Sequence, residues 1–315
     1  MNILLTGGSS FTGLWFARQL VSRGHNVFAT FQGDKDSYDG LRRRRIDELP
    51  QQVNRLWNSP TQSARLLGLI DEVGKWDLLC LHGAYLVGYR DPGFDACHAL
   101  KNNTEGLAPL LEKLARSGMK RVVATGTVFE ENEGAGEEPL RAFSPYGLSK
   151  NLTWLVQKYW VQSLGLHIGK FVIPNPFGPF EEPRFTSYLV KSWLAGKVPQ
   201  VRTPLYIRDN IHVSCLARHY SNFAEGLGGE PGTSRCAPMG YVESQGAFTL
   251  RFAQEMRSRL GLECRFELAE QKTFDEPRMR VNTQALSLPV EQWQEPEAWD
   301  DLATYYRLEF ASQKV

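Results

Sequence analysis

The N-terminal sequence MNILLTGGSSFTG limits the fold of this chain more than any other segment. Residues 3–5 predict an apolar strand that runs directly into a glycine-containing turn, residues 6–13, and then into an apolar helix. In such a unit Gly7 allows the tight turn, and a small residue at position 10 lets the backbone approach a pyrophosphate. Gly13 lets the helix pack close to the sheet, and the N-terminus of that helix is directed at the phosphates. The sequence therefore predicts a dinucleotide-binding turn, although Ser10 stands where a middle glycine is usual.

The first half of the chain alternates between apolar strand patterns and helical patterns. Predicted strands cover residues 26–31, 42–47, 77–82, 121–127 and 167–173, and predicted helices cover residues 104–117 and 145–164. This alternation is typical of a parallel sheet with right-handed crossovers and helices on both faces. We therefore expect an α/β fold whose residues 1–174 form a Rossmann-type doubly wound parallel sheet.

The composition changes after residue 174. The segment PNPFGPFEEPRF contains four prolines and is not expected to continue a sheet. Helical patterns at residues 186–195, 215–227 and 249–260 then mix with short strands. We expect residues 175–315 to form a smaller, interleaved substrate-binding lobe, with a segment near residues 205–228 returning to the first domain. The polar tail after Glu309 is expected to be frayed.

Charge and composition argue against several partner classes. The 36 Lys and Arg residues nearly balance 35 Asp and Glu residues, giving a net charge of +1, which does not support a nucleic-acid or anionic-membrane partner. No window predicts a transmembrane helix, and the short apolar start lacks the basic leader of a signal peptide. The five cysteines are widely spaced without a C-x-x-C pair, so we expect reduced thiols, a cytoplasmic protein and no metal site.

Tyr146 and Lys150 lie four residues apart in the segment SPYGLSK and so share one face of a predicted helix. The ammonium group favours the phenolate and lowers the pKa of a tyrosine, which is otherwise about 10. Such a tyrosine can exchange a proton with a hydroxyl or carbonyl while hydride moves to or from a nicotinamide. The preceding strand ends in Thr125 and Thr127, and a hydroxyl there can hydrogen-bond the same substrate oxygen.

Together the turn at residues 7–13, Thr125, Tyr146 and Lys150 resemble an extended short-chain dehydrogenase/reductase of the nucleotide-sugar epimerase/dehydratase family. Four further segments resemble family motifs in the same order, namely DLLCLHGA, NTEGL, IPNPFGP and RDNIHV. The resemblance extends from residue 1 to about residue 285.

The resemblance implies roles for individual residues. Thr125 becomes the hydroxyl of a catalytic triad, Tyr146 its acid/base, and Lys150 also a ligand of the nicotinamide ribose. The implied cofactor-binding residues are Gly7, Ser9, Ser10, Phe11, Thr12, Gly13, Thr30, Lys35, Asp47, His82, Gly83, Ala84, Asn103, Tyr146, Lys150 and Pro174. The implied substrate-binding residues are Thr127, Asn175, Arg208 and Arg278, and an arginine offers a bidentate fork to a diphosphate. Alternatively, Arg208 forms a surface ion pair with Asp209.

Two departures from the family narrow the reaction. Gly126 and Thr127 follow Thr125 in place of the Asp-Glu pair of the sugar 4,6-dehydratases, and no reactive cysteine follows it either. The leading hypothesis is a reductase of a nucleotide-linked ketosugar. The alternatives are a nucleotide-sugar 4-epimerase with tightly bound NAD and, from another class, a non-catalytic cofactor-sensing or scaffold protein.

The second predicted strand favours NADP as well as NAD, because it ends without the acidic residue that usually accepts from the ribose hydroxyls. Lys35 and the arginines at 42–45 follow, and they either favour a 2′-phosphate or form a solvated strand face. Asp47 matches an acidic position that meets the adenine amino group in relatives.

We also expect a homodimer. The pairing is predicted through the helices that start near residues 104 and 145. Leucines on the first helix, with Trp154, Leu155 and Trp160 on the second, offer apolar surface for it.

Overall fold

The computed structural model describes residues 1–311, which form two compact units. The first unit consists of Met1–Glu133, Leu140–Ile173 and Ala217–Ala237, and the second contains the other described residues. Residues 312–315 of the polar tail lie outside the described part, whereas the residues just before them belong to the last helix.

Strands and helices follow one another along both units. The strands are β1 (Asn2–Leu5), β2 (Asn26–Thr30), β3 (Asn54–Leu56), β4 (Leu78–Leu81), β5 (Arg121–Thr127), β6 (Ala135–Gly136), β7 (His167–Ile173), β8 (Asn175–Phe177), β9 (Gln200–Val201), β10 (Ile207–His212), β11 (Gly232–Cys236), β12 (Tyr241–Ser244), β13 (Glu267–Leu268) and β14 (Met279–Val281). The helices are α1 (Phe11–Ser22), α2 (Gly40–Asp47), α3 (Ala64–Val73), α4 (Ala96–Thr104), α5 (Leu107–Arg116), α6 (Pro145–Ser163), α7 (Phe185–Leu194), α8 (Val213–Gly226), α9 (Gln245–Leu260) and α10 (Glu295–Ala311), with a short 3-10 helix at Lys35–Ser37.

The first unit is built on a seven-stranded sheet with the order β11-β7-β5-β4-β1-β2-β3. Every neighbouring pair is parallel. The chain winds outward from β1 in both directions, which confirms the predicted Rossmann-type α/β class. In such a sheet the ligand-binding crevice lies outside the carboxyl ends of the strands, and β1, β4 and β5 place those ends side by side.

One hydrophobic core cluster packs helices against this sheet. Leu79 and Val122 on adjacent strands are fully buried, and they pack in one cluster with Leu110 and Leu114 of α5 and with Trp76. The strands are apolar on both faces because helices cover both faces. The leucines of α5 are therefore buried in the core of one chain, and the expectation that they offer apolar surface to a dimer interface is wrong.

The second unit has its own sheet, with the order β12-β10-β14-β6 and with β8 paired to β10. Its core joins Phe177, Phe252, Trp299 and Tyr306 from β8, α9 and α10. The expectation that the proline-rich segment cannot enter a sheet is wrong, because Pro176 lies in the three-residue strand β8 opposite Ile211. This strand pairs only with β10, and an edge strand tolerates a proline that donates no hydrogen bond.

Two element predictions are corrected in the first unit. Residues 42–47 are not a strand but the end of helix α2, because the run of arginines has no alternating apolar face and arginine favours helices. The third strand is β3 instead. The helix predicted over residues 104–117 corresponds to α5, which begins only at Leu107 because Gly106 adopts a left-handed conformation with φ of 73°; Thr104 ends the separate helix α4.

None of the helices in residues 1–311 combines the length and the apolar character that a membrane crossing requires.

Candidate active site

The glycine-containing turn between β1 and α1 is tightly closed. Gly7 has a φ of 77°, and a Cβ atom at this position would lie 2.8 Å from the backbone of Gly83. A Cβ atom at Gly13 would lie 2.3 Å from the carbonyl oxygen of Gly7. Ser10 caps helix α1, since its hydroxyl accepts from the Gly13 N–H at 3.1 Å and donates to the Gly7 carbonyl at 2.9 Å. The turn therefore places backbone without side-chain cover at the N-terminus of α1, and such a site suits a phosphate.

Thr6 joins the ends of β1 and β4, a role that the sequence analysis missed. Its hydroxyl oxygen accepts from the N–H groups of His82 at 2.9 Å and Gly83 at 2.8 Å. The signal was available, because Thr6 directly precedes the first glycine of the turn. This contact holds the loop after β4 against the loop after β1.

His82 connects that turn to the candidate catalytic threonine. Its Nε2 atom lies 3.0 Å from the Ser10 hydroxyl and 3.1 Å from the Thr12 hydroxyl. Its Nδ1 atom lies 3.0 Å from the hydroxyl of Thr125. Burial, together with the positive charge of Lys150, lowers the pKa of His82 to about 3. The imidazole is therefore neutral at neutral pH, with one nitrogen donating and the other accepting.

Two of the three predicted triad residues are in contact between the end of β5 and the start of α6. The buried Lys150 ammonium donates to the backbone carbonyl oxygen of Thr125 at 2.7 Å. Ser144 caps the helix by accepting from the Gly147 N–H at 3.0 Å, and so fixes where Tyr146 and Lys150 begin their shared face. Burial lowers the pKa of Lys150.

Tyr146 lies in the first turn of α6, half-buried. Its ring contacts the edge of Tyr89, with a centroid separation of 5.3 Å, and that of Phe94 at 6.4 Å. These aromatic neighbours lie between β4 and α4, so the loop after β4 forms one wall beside the tyrosine. The same loop is tied down by Asn103, whose amide oxygen accepts from the Tyr85 N–H at 2.7 Å.

A buried ion cluster lies behind the end of β5, and sequence reasoning missed all of it. Lys170 contacts Glu130 at 2.6 Å and Glu133 at 2.7 Å, and Arg235 contacts Glu133 at 2.7 Å. Glu130 also accepts from the Thr127 N–H at 2.8 Å. We call the buried residues Lys170, Glu130 and Glu133, together with the more exposed Arg235, the buried ion cluster. It supports the predicted substrate residue Thr127 through its backbone.

The cluster also acts on Lys150 through charge. The carboxylate of Glu130 raises the pKa of Lys150, whereas the ammonium of Lys170 lowers it, both less than burial does. Gly126 allows this approach, since a Cβ atom there would lie 2.7 Å from the Lys170 side chain and 2.9 Å from Glu130.

An aromatic cluster follows the carboxyl ends of β2 and β3. Phe31 stacks on Trp57 with a centroid separation of 4.5 Å, and Tyr38 meets both rings. A cavity of about 300 Å³ opens beside it. Its lining residues are Lys35, Ile46, Asp47, Arg55 and Trp57. Sequence reasoning found Lys35 and Asp47 but missed the aromatic rings and Arg55.

The arginines before Asp47 do not form a strand face. Arg45 is buried, with its guanidinium 6.0 Å from the ring of Phe11, whereas Arg42 is exposed. Arg43 contacts Asp47 at 3.0 Å along helix α2. Asp47 therefore ends a helix and not the predicted strand, and it lines the cavity.

The remaining predicted cofactor residues of the first unit follow the strands in the same way. Thr30 ends β2 and is buried, and Ser9 lies in the turn after β1. Ala84 follows β4 directly after Gly83. Pro174, assigned to the second unit, follows β7.

The predicted substrate residues of the second unit lie on or beside its central strands. Asn175 donates through its side-chain amide to the side-chain oxygen of Asn210 on β10. Arg208 contacts Glu276 at 2.9 Å and lies over the ring of Tyr206 at 4.5 Å. The alternative ion pair with Asp209 is wrong, because the carboxylate of Asp209 is buried and accepts from backbone N–H groups.

Arg278 stands next to this set. Its guanidinium lies 5.5 Å from the ring of Phe274. Within residues 1–311, no group of three or more His, Cys, Asp or Glu side chains is arranged to hold a metal ion.

Comparison with known proteins adds a family and a fold. The model of the NAD dependent epimerase/dehydratase family matches residues 3–226. No curated protein matches this sequence. The structure resembles the UDP-glucose 4-epimerase of Thermotoga maritima (TM-score 0.69, 18% identity), with 98% of this chain and 100% of that chain covered.

Two further solved structures are similar over their whole length. The UDP-glucuronic acid 4-epimerase of Bacillus cereus has a TM-score of 0.71 and 16% identity, with 98% of this chain and 100% of that chain covered. The dTDP-glucose 4,6-dehydratase of Streptomyces venezuelae has a TM-score of 0.68 and 18% identity, with 99% and 98% covered. These neighbours catalyse different reactions, so their likeness concerns the fold.

Proposed function

Because the chain belongs to the NAD dependent epimerase/dehydratase family, we propose that it moves hydride between a nicotinamide cofactor and one carbon of a nucleotide-linked sugar. The observation that supports this proposal is the contact of the buried Lys150 ammonium with the backbone of Thr125, with Tyr146 one turn earlier on the same helix. These are a hydroxyl, a phenol and a buried ammonium, the groups that such a transfer needs.

Each residue has a distinct task in this mechanism. Lys150 brings a buried positive charge one helical turn from Tyr146, which favours the phenolate form of that side chain. Tyr146 takes the proton of a sugar hydroxyl or returns it to a carbonyl oxygen. Thr125 hydrogen-bonds the same oxygen and orients it. A bound nicotinamide supplies or accepts the hydride.

The first unit fits such a cofactor. The space that the glycines leave around the turn, and the N-terminus of α1, suit a pyrophosphate. We propose that the aromatic cluster and its cavity take the adenosine end. Lys35 and Arg55 line that cavity, while the Asp34 carboxylate is occupied in capping, since it accepts from the N–H groups of Asp36 and Ser37.

This distribution of charge favours NADP at least as much as NAD. Titration of the protein with NADPH and NADH tests it, and a clear preference for NADH would contradict the role of Lys35 and Arg55. The variant Arg55→Met should weaken the binding of NADPH more than the binding of NADH, because only NADPH carries a 2′-phosphate.

We propose that Asn175, Arg208 and Arg278 bind the nucleotide diphosphate. Arg208 supports this role because its guanidinium is already held by carbonyl oxygens of Ile207 and Pro277 and by the exposed Glu276. A phosphate replaces Glu276 at that fork without moving the arginine. Arg208→Lys should raise KM for a nucleotide sugar, since a lysine cannot form the bidentate contact.

The reaction is either reduction of a ketosugar, the leading hypothesis from the sequence, or 4-epimerisation, in which the same carbon is oxidised and reduced again. Water elimination is disfavoured, because glycine stands at position 126.

Replacement of the tyrosine tests the proposed function. Tyr146→Phe keeps the ring and removes the proton carrier, so turnover of nucleotide sugars should fall about a hundredfold to ten-thousandfold, with cofactor affinity retained. Tyr188→Phe is the matched control, since this tyrosine is 44% exposed on α7 of the second unit. Lys150→Met should weaken both turnover and cofactor binding.

If Tyr146→Phe matches the wild type on its true substrate, the hydride-transfer proposal fails and a scaffold or cofactor-sensing role becomes the better one. Absorbance of the purified protein separates the two reactions, because an epimerase retains its cofactor through turnover. The substrate screen uses nucleotide sugars and their 4-keto forms with both cofactors.

We further propose that two chains pair through α6. Leu148, Leu155 and Tyr159 are exposed on one face of this helix, at spacings of seven and four residues. Trp154 does not belong to this face, because it packs against the core and under the ammonium of Lys170.

A further inference from the structure

The only side chain that joins the glycine-containing turn to Thr125, among the described contacts, is a buried imidazole. His82 offers Nδ1 to Thr125 and Nε2 to both Ser10 and Thr12, all within 3.1 Å. A neutral imidazole has one N–H and one lone pair, so a donor at Nε2 requires an acceptor at Nδ1. The hydroxyls at the turn and the hydroxyl of Thr125 therefore cannot be oriented independently.

We propose that His82 is a positioning residue that passes the state of the cofactor-binding turn to Thr125 through its tautomer. This inference rests on the proposed function, because it concerns the hydroxyl that meets the sugar. With a dinucleotide phosphate at the turn, His82 carries its proton on Nε2, and the Thr125 hydroxyl donates to Nδ1. The oxygen of Thr125 then faces the substrate as an acceptor.

The hydrogen bonds of the turn give the reason. The single proton of Ser10 is committed to the Gly7 carbonyl oxygen, at 2.9 Å, so Ser10 presents a lone pair to Nε2. Thr12 lies in the first turn of α1, and within the described residues its hydroxyl contacts only the imidazole. A phosphate at the helix N-terminus attracts the Thr12 proton. Both oxygens then accept, and Nε2 must donate.

The consequence for the reaction is directional. When Thr125 donates to Nδ1, its free lone pair matches a sugar hydroxyl and not a carbonyl oxygen. The enzyme with bound phosphate is therefore set to begin by oxidising a hydroxyl, which is the first half of an epimerisation. The sugar hydroxyl has a single proton, which it donates to Thr125 while it is positioned and then passes to Tyr146 as hydride leaves, so the imidazole holds its own proton throughout and no charge forms on it.

Nuclear magnetic resonance of the imidazole nitrogens tests this without any sugar. In uniformly ¹⁵N-labelled protein the His82 signals are assigned by their loss in His82→Gln. Saturating NAD⁺ should shift the wild-type signals to the Nε2–H tautomer. Thr12→Val removes the one hydroxyl that can donate to Nε2, so it should show the Nε2–H tautomer with and without NAD⁺, and Thr12→Ser should restore the wild-type response.

An Nδ1–H tautomer in the NAD⁺ complex overturns the proposal, and so does a wild-type tautomer that NAD⁺ leaves unchanged. The signals of His82 should also stay those of a neutral ring from pH 8 to pH 5. An imidazolium signal in that range contradicts the proposal as well.

Kinetics provides the second readout. His82→Gln should lower kcat about tenfold, since one orienting hydrogen bond is lost. His98→Gln, on the exposed side of α4, is the control. Unchanged kcat in folded His82→Gln overturns the inference and leaves the sugar reaction intact. A wild-type protein that turns over no nucleotide sugar refutes the proposed function, while the tautomer measurement still decides the role of His82.

Discussion

Lys170→Met removes the central cation of the buried ion cluster and should destabilise the first unit strongly. The lysine side chain is 4% exposed and contacts Glu130, which is fully buried, and Glu133, which is 8% exposed. After the substitution Glu133 keeps Arg235 and Glu130 keeps the hydrogen bond from the Thr127 N–H, but Glu130 loses the ammonium group that lies 2.6 Å away. Breaking a buried ion pair by removing one partner costs about 3–5 kcal/mol, whereas methionine preserves most of the side-chain volume.

Lys113→Met is the matched control. Lys113 contacts Asp71 at the same 2.6 Å, but the two side chains are 27% and 69% exposed. An exposed pair of this kind contributes about 0–1 kcal/mol. The free energy of unfolding is measured from urea denaturation followed by tryptophan fluorescence. Two lysine pairs of equal length should therefore differ by several kcal/mol because of burial alone.

The double variant Glu130→Gln/Lys170→Met separates charge from packing. It removes the carboxylate that Lys170→Met leaves alone, so it should recover part of the lost stability. If Lys170→Met lies within about 1 kcal/mol of Lys113→Met, burial does not govern this cluster and the reasoning is refuted.

Two further variants test the turn and the assembly. Gly13→Ala places a Cβ atom 2.3 Å from the Gly7 carbonyl oxygen, so isothermal titration should show NAD⁺ binding weakened at least about tenfold, or about 1.4 kcal/mol. The control is Gly68→Ala, where the new Cβ atom has open space. Denaturation should show that this control stabilises α3 by about 0.5–1 kcal/mol. Leu155→Glu should convert a dimer to a monomer in sedimentation. Leu268→Glu, at a similarly exposed position of the second unit, should not. A wild-type protein that is monomeric at micromolar concentration contradicts the proposed pairing.

The sequence predicted strands best where apolar residues are continuous. Arg121–Thr127 and His167–Ile173 have the predicted bounds, because burial on both faces leaves most of their residues apolar or small. Helix α2 was predicted as a strand, because GLRRRRID carries no periodic apolar pattern of either kind. Its helical state comes from backbone propensity and from the contact of Arg43 with Asp47, one turn apart.

In the candidate site, too, residues at a fixed local spacing were predictable, whereas residues that meet only through the fold were not. Tyr146 and Lys150 were predictable because one helix fixes their separation. The buried ion cluster was not, because its members come from distant segments that meet only through strand register. Lys170 on β7 lies opposite Ala124 of β5 on one side and opposite Arg235 of β11 on the other. A charged residue in a sequence gives no sign that its side chain is turned inward, so only the fold reveals the pairing.

Asp209 should make the stability of the second unit depend on pH. Its carboxylate is 1% exposed, and burial raises its pKa to about 6, although the N–H groups of Gly240 and Asn282 oppose the change. The ordinary value is 3.8, so the folded state binds the proton more tightly than the unfolded state does. The shift of about two pH units corresponds to about 3 kcal/mol.

The sign follows from linkage. Below about pH 4 both states are protonated, and Asp209 costs nothing. Between about pH 4 and pH 6 the unfolded chain releases the proton first, so the free energy of unfolding falls as pH rises, and the whole cost is present above about pH 6. Asp209→Asn does not titrate. Its stability relative to the wild type should therefore rise by up to about 3 kcal/mol from pH 4 to pH 7.

Any change that the new amide itself makes to the free energy of unfolding is a constant amount at every pH. This constant does not affect the test, because the test compares only how the stability difference between the variant and the wild type changes with pH. Asp275→Asn, at an exposed position of the same unit, is the control and should give a flat difference. Urea denaturation at half-unit steps of pH measures both. A flat difference for Asp209→Asn as well would mean that the two backbone N–H groups fully compensate burial, and that this carboxylate anchors β10 to Gly240 and Asn282 at no cost in stability.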